Sequence, residues 1–174
     1  MAHDMQSQLK QGKPFDHPEE ELFLSLVCTA DILGRKVSDF LKKEGLSGAQ
    51  YNVLRILRGA GPEGLPCGEI STRMVTRDPD VTRLLDRLEH RKLVTRARNS
   101  GDRRVISTRI TPEGVALLQA LDEPVVKIHQ EQFGFLSAGE LRELLNHLTH
   151  IREKMSSLCS AAGATSGNSA ADAS

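Results

Sequence analysis

A chain of 174 residues, 39% of them hydrophobic, is long enough to bury one real core, and with no Trp and one Tyr that core must be aliphatic, a composition that favours helices. No apolar run approaches the roughly 18 residues needed to span a bilayer, and the first 20 residues lack a signal peptide's apolar segment, which predicts a cytoplasmic protein without membrane contact. The formal net charge is zero, a total that excludes nothing by itself because the charges are segregated along the chain.

Residues 1–18 read as a flexible N-terminal tail. The first helix is expected to start between Asp16 and Glu19, where Asp, Pro and three consecutive Glu supply a cap, a first-turn proline and negative charge at the positive end of the dipole. Leu22, Leu26, Leu33, Val37, Phe40 and Leu41 recur at helical spacing until Gly45 stops it. Ser47 followed by Gln50 is a capping-box pattern opening a second helix, with Tyr51, Leu54 and Leu57 on one stripe. A short third helix fits Cys67 to Met74. In the fourth, Asp78 is the expected cap and Pro79 the first helical residue. Val81, Leu84, Leu85 and Leu88 form its apolar stripe, with Asp80, Arg83, Arg87 and His90 opposite.

The stretch VTRARNSGDRRVISTRIT, residues 94–111, then reads as two β-rich runs around a glycine-containing turn, the pattern of a hairpin. In its second run Ile106, Thr108 and Ile110 alternate with Val105, Ser107 and Arg109, predicting one face on the helices and one in solvent. Thr111-Pro112-Glu113 caps a fifth helix running to about Phe133, with Pro124 expected to bend it. Ser137 and Glu140 form another capping box, opening a sixth helix that carries Leu141, Leu144, Leu145, Leu148, Ile151 and Met155. The low-complexity segment 159–174 is expected to be disordered.

The neutral total hides a segregated charge. Residues 66–111 hold eleven basic side chains, of which only Lys92 is not an arginine, against six acidic ones (Glu69, Asp78, Asp80, Asp86, Glu89, Asp102). This window carries +5 and the remainder −5. Arginine's planar fork suits phosphates and guanine edges, whereas a merely solvated surface would hold more lysine. Two helices joined by a tight connection and followed by a basic hairpin make a winged helix-turn-helix. In that unit the second helix enters the major groove of a duplex while the hairpin reaches the backbone or the minor groove. The fold class is mainly α with a small β-wing.

The segments VTRLLDRLEHRKLV at 81–94 and DRRVISTRITPEG at 102–114, in this helix order, resemble the MarR (multiple antibiotic resistance regulator) family of bacterial transcription factors over roughly residues 20–158. The resemblance implies a winged helix-turn-helix lobe at 46–111, with N- and C-terminal dimerisation helices at 19–45 and 112–158. It implies a homodimer whose two reading heads contact the halves of a palindromic operator, about 10 base pairs apart. The long amphipathic end helices fit this independently, since they present more apolar stripe than one small lobe can cover. Promoter occlusion, and so repression, is the family's usual outcome.

Residue roles follow. Arg83 and Arg87, one turn apart, are the candidates for base-edge or near-base phosphate contacts, with Thr82 at the family's groove-facing hydroxyl position. Arg104 matches the wing arginine that relatives place in the minor groove, Arg103 belongs to the same motif, and Asp102 is placed to brace the turn. Arg96, Arg98 and Arg109 are expected on phosphate, adding affinity and salt dependence without sequence preference, and Arg73 and Arg77 similarly from the third helix and turn. Asp78-Pro79-Asp80 departs from the small hydroxyl residues many relatives carry there. Asp80 would be repelled by phosphate unless it accepts from a cytosine amino group or pairs with an arginine such as Arg83 or Arg77.

Relatives commonly bind a small, often aromatic, effector between the dimer helices and the reading lobe, where Cys28, Tyr51 and Arg55 are the candidate contacts. Cys28, Cys67 and Cys159 are odd in number and lack a C-x-x-C pair, which fits reduced thiols. The sensor cysteine of peroxide-sensing relatives falls near Phe23 and does not carry over, while Cys67 at a helix start leaves a redox-sensing regulator of the same fold as an alternative. A winged-helix protein-interaction module without specific DNA binding is the other. His129, His147 and His150 form no clear tetrahedral set, so no metal and no cofactor are expected. Without a Gly-rich phosphate loop or nucleophile motif, neither is enzymatic activity.

Overall fold

The computed structural model describes residues 5–10, 12–76, 80–98 and 106–165. The described residues form, in chain order, helices α1 (Met5–Leu9), α2 (Pro18–Lys43) and α3 (Gly48–Gly59), strand β1 (Leu65–Pro66), helices α4 (Cys67–Arg73) and α5 (Val81–His90), strands β2 (Val94–Arg98) and β3 (Ile106–Ile110), and helices α6 (Pro112–Phe133) and α7 (Ala138–Thr165). They fall into two units, one up to Ile128 and one from His129. The fold is mainly helical with a small antiparallel wing.

Local chemistry explains most boundaries. At the head of α2 the expected Asp16 cap is replaced by His17, which is extended and makes no side-chain cap bond. Pro18 and the first-turn Glu19, Glu20 and Glu21 set the start, since proline costs nothing at N1 and the acids face the positive dipole end. Gly45, at φ +70°, ends the helix in a left-handed cap, with Gly45 N–H donating to Lys42 O at 3.0 Å and Leu46 N–H to Leu41 O at 2.9 Å. The Ser47–Gln50 capping box forms as the spacing predicts, with bonds of 3.1 and 2.9 Å in the two directions.

The core lies in the first unit. Val53, Leu54 and Leu57 of α3, Ile70 of α4, Leu88 of α5 and Leu118 of α6 are all but inaccessible to solvent. Thr111 fixes the approach of α6. Its hydroxyl donates to Lys92 O at 2.7 Å and accepts from Gly114 N–H at 3.1 Å. A Cβ at residue 114 would overlap the Leu93 carbonyl oxygen, so the T-P-E-G sequence needs its glycine for close packing. The helix continues through Pro124 to Phe133.

The sheet has the order β1-β3-β2, all antiparallel, with Leu65 opposite Thr108 and Val94 opposite Ile110. A two-residue strand containing proline carries no period, so β1 gave no sequence signal. Its presence overturns the expected alternation along β3. Ser107 and Thr108 are both buried although adjacent, because β3 is the central strand with α3 and α4 also against it, while Ile106 is 57% exposed.

Two segments expected to be unstructured hold helix. The tail 1–18 contains α1, which packs on α2 and buries Met5. The last helix runs past Leu158 to Thr165, over an SAAGAT sequence whose alanines favour helix. Residues 166–174 lie outside the described residues. No described helix is long and apolar enough to cross a membrane.

Candidate nucleic-acid interface

The geometry of the reading unit starts with the connection between α4 and α5. Asn52 of α3 accepts from the Val75 N–H at 2.9 Å, tying the exit of α4 to the core, where Met74 is buried. Ahead of α5, Asp80 is the N-cap, its Oδ1 accepting from Arg83 N–H at 3.1 Å. The expected cap Asp78 and first helical residue Pro79 lie outside the described residues, as does Arg77. Cys67 Sγ, at the head of α4, lies 3.8 Å from Thr82 Oγ1, at the head of α5.

Helix α5 is sharply two-sided. Val81, Leu84, Leu85 and Leu88 are buried, while Thr82, Arg83, Asp86, Arg87, Glu89 and His90 are exposed. Arg83 is 78% exposed and its Nε lies 3.0 Å from Asp80 Oδ2. No carboxylate among the described residues is within ion-pair distance of Arg87. Thr82, Arg83 and Arg87 are therefore brought to one solvent face, as the period predicts.

The arginines of the strands divide into two kinds. Arg98, at the end of β2, is exposed and without a carboxylate partner among the described residues. Arg96, two positions earlier, is only 24% exposed. Its Nη2 donates to Asp86 Oδ1 at 2.5 Å and lies 3.5 Å from Thr82 O, its Nε sits 3.6 Å from Glu89 Oε2, and its N–H donates to Glu89 Oε1 at 3.2 Å. Arg96, which the sequence places on phosphate, in this chain ties the wing to α5. Arg109 is similarly occupied, with Nε donating to Glu63 O at 3.2 Å and Nη2 3.4 Å from the Glu63 carboxylate. Arg73 pairs with Glu69 one turn back on α4. Asp102, Arg103 and Arg104 fall outside the described residues.

Sequence reasoning missed the acids that hold these arginines. Asp86 and Glu89 share one helical face at i, i+3, which was a legible sign of a shared cationic partner. It also missed Arg91, whose guanidinium donates to Gly45 O at 2.5 Å and closes α5 onto the end of α2.

Of the effector candidates, Tyr51 is buried in the core and the Arg55 guanidinium stands 5.8 Å from its ring centroid, within cation–π range. Cys28 is half-buried on α2. One turn beyond Arg55, Arg58 makes a two-pronged bond to Asp122 of α6, at 2.7 and 2.9 Å. These bonds hold the Asp122 carboxyl below its ordinary titration range and push the guanidinium further up.

Comparison with known proteins bears on what such a unit is. The MarR family model matches residues 44–105, which run from the end of α2 into the wing. A MarR transcription factor of known structure from Planctomyces limnophilus is 40% identical, over 78% of this chain and 98% of that one, with a TM-score of 0.60. The chain belongs to the MarR family. The family is one of DNA-binding helix-turn-helix transcriptional regulators rather than enzymes. Among relatives, the transcriptional regulator PrsX of Escherichia coli is 30% identical over 74% of this chain and 79% of its own length. The transcriptional repressor MdtR of Bacillus subtilis is 34% identical, and this chain spans 64% of its length. The MarR fold is also that of S. aureus MepR, solved as a DNA complex, at a TM-score of 0.67 and 23% identity over 81% of this chain.

Proposed function

We propose that this MarR-family protein binds a palindromic operator as a homodimer in the cytoplasm, represses transcription by occluding the promoter, and is released by a small effector. The observation that carries the reading is the two-sidedness of α5, which buries four aliphatic residues and presents Thr82, Arg83 and Arg87 together on the opposite face. On this reading residues 46–111 form the DNA-reading lobe, with 19–45 and 112–158 pairing with a second copy. Arg98, Arg103 and Arg104 extend the contact along the wing, with Asp102 bracing the turn, and Arg73 and Arg77 add phosphate contacts. A small aromatic effector is placed near Tyr51, Arg55 and Cys28, where a guanidinium and a phenol already meet.

The test is footprinting on the DNA upstream of the protein's own gene across a salt series, for wild type, Arg83→Ala and Arg104→Ala. The expected result is protection of a palindrome, an affinity that falls steeply with salt, and weakening by both substitutions. Binding indifferent to sequence at every salt concentration would overturn the reading.

A further inference from the structure

A carboxylate at the leading end of a DNA-reading helix is an electrostatic liability, because every phosphate it approaches repels it. Both oxygens of Asp80 contact Arg83. Oδ1 accepts the backbone N–H of Arg83 at 3.1 Å, and Oδ2 faces the Nε of the same arginine at 3.0 Å. The ion pair with Asp80 runs through Nε, so the two terminal Nη groups keep their four N–H donors, on a side chain that is 78% exposed. Arg83 thus leaves the helix already oriented, with less rotamer freedom to lose on contact.

What such a held fork suits is a base edge. Residues in the first turn of a recognition helix reach bases, and the paired donors of arginine match the O6 and N7 acceptors of guanine. A phosphate needs only a cation, which Arg87 one turn later supplies without a brace. We infer that Asp80 is a positioning residue that fixes Arg83 for guanine, so that each half-site contains one guanine whose selection depends on both side chains. The inference rests on α5 being the DNA-reading helix.

The experiment is selection of bound duplexes from a pool with a randomised stretch, using full-length wild type, Arg83→Ala and Asp80→Asn. Asparagine caps a helix as well as aspartate does, and its amide oxygen can still take the Arg83 N–H. Its side chain is neutral, so the ion pair with the guanidinium is lost while the cap is kept. The expected result is a guanine in each wild-type half-site, with the preference reduced roughly tenfold or more by Arg83→Ala and reduced at that same position by Asp80→Asn. The Asp80→Asn melting temperature should remain that of wild type. Three outcomes overturn the inference. Asp80→Asn could leave the guanine preference intact, making Asp80 a cap alone. It could change preference at a different base pair where wild type selects cytosine, making Asp80 a direct reader. It could raise affinity for all sequences alike, making it only repulsive. Wild type selecting no sequence would overturn the DNA-reading role of α5 itself, a failure distinct from these three.

Discussion

Arg58 and Asp122 stand 64 positions apart and meet through a fork that joins α3 to α6. Neither residue carried a signal in the sequence, because a tertiary ion pair has no period and no fixed spacing. The Ser47 cap, by contrast, was legible from Gln50 three residues on, since its partners are neighbours along the chain. The position of the α5 cap was less so, because Asp78 and Asp80 both suit that role and only the backbone decides between them. The pair predicts a measurable acid dependence. With its carboxyl held below the ordinary aspartate range by the Arg58 hydrogen bonds, the folded state binds a proton less readily than the unfolded chain. The contribution is therefore complete above the unfolded value and is lost as pH falls through the folded one. Both groups are partly exposed, so solvent screening limits it to about 1 kcal/mol or less. Asp122→Asn should lower the melting temperature by about 2 °C at pH 7, and the gap should close as pH is brought below about 4. A gap that persists unchanged in acid would mean that packing, not charge, carries the effect.

Periodicity along each element was informative where one face meets a core, which is why α5 and its exposed Thr82, Arg83 and Arg87 could be read in advance. It failed for β3, whose two neighbouring strands and covering helices bury consecutive residues, and it could not say which wing arginines are engaged. By the alternation of a strand, Arg96 and Arg98 share a face of β2, yet Arg96 is clamped by Asp86 and Glu89 of α5 while Arg98 has no such acids among the described residues. Salt dependence separates the two roles. Removing a cation that neutralises one phosphate should reduce the slope of log affinity against log salt by about 1. Arg98→Ala should do this with stability unchanged. Arg96→Ala should leave the slope as it is, lower stability by about 1 kcal/mol as Asp86 and Glu89 lose their partner, and weaken binding through a loosened wing. Equal reductions of slope by both substitutions would show that the Arg96 clamp opens onto phosphate in the complex.

At the scale of the whole molecule, the described chain leaves two long helices without enough to bury. Helix α2 has 26 residues and only Leu41 is buried, while Phe23, 64% exposed, stands beside exposed Leu22 and Val27. Helix α7 has no buried side chain among those described, and Leu144, Leu145, Ile151, Met155 and Leu158 are all exposed. Exposed apolar faces of this size call for a covering partner, and the proposed homodimer would supply one of the same chemistry to each helix. Because none of the described side chains of α7 is buried, charge placed on it leaves the packing of the winged-helix lobe untouched. Leu145→Glu combined with Leu158→Glu should convert a species of twice the chain mass, read by light scattering, into one of single mass, with the melting of the lobe retained. Operator affinity should then fall by roughly 100-fold, since two linked heads bind their half-sites as one event and a lone head does not. A wild-type protein of single chain mass at micromolar concentration, with full operator affinity, would instead mean that the apolar faces of α2 and α7 serve some other contact and that one winged helix suffices for recognition.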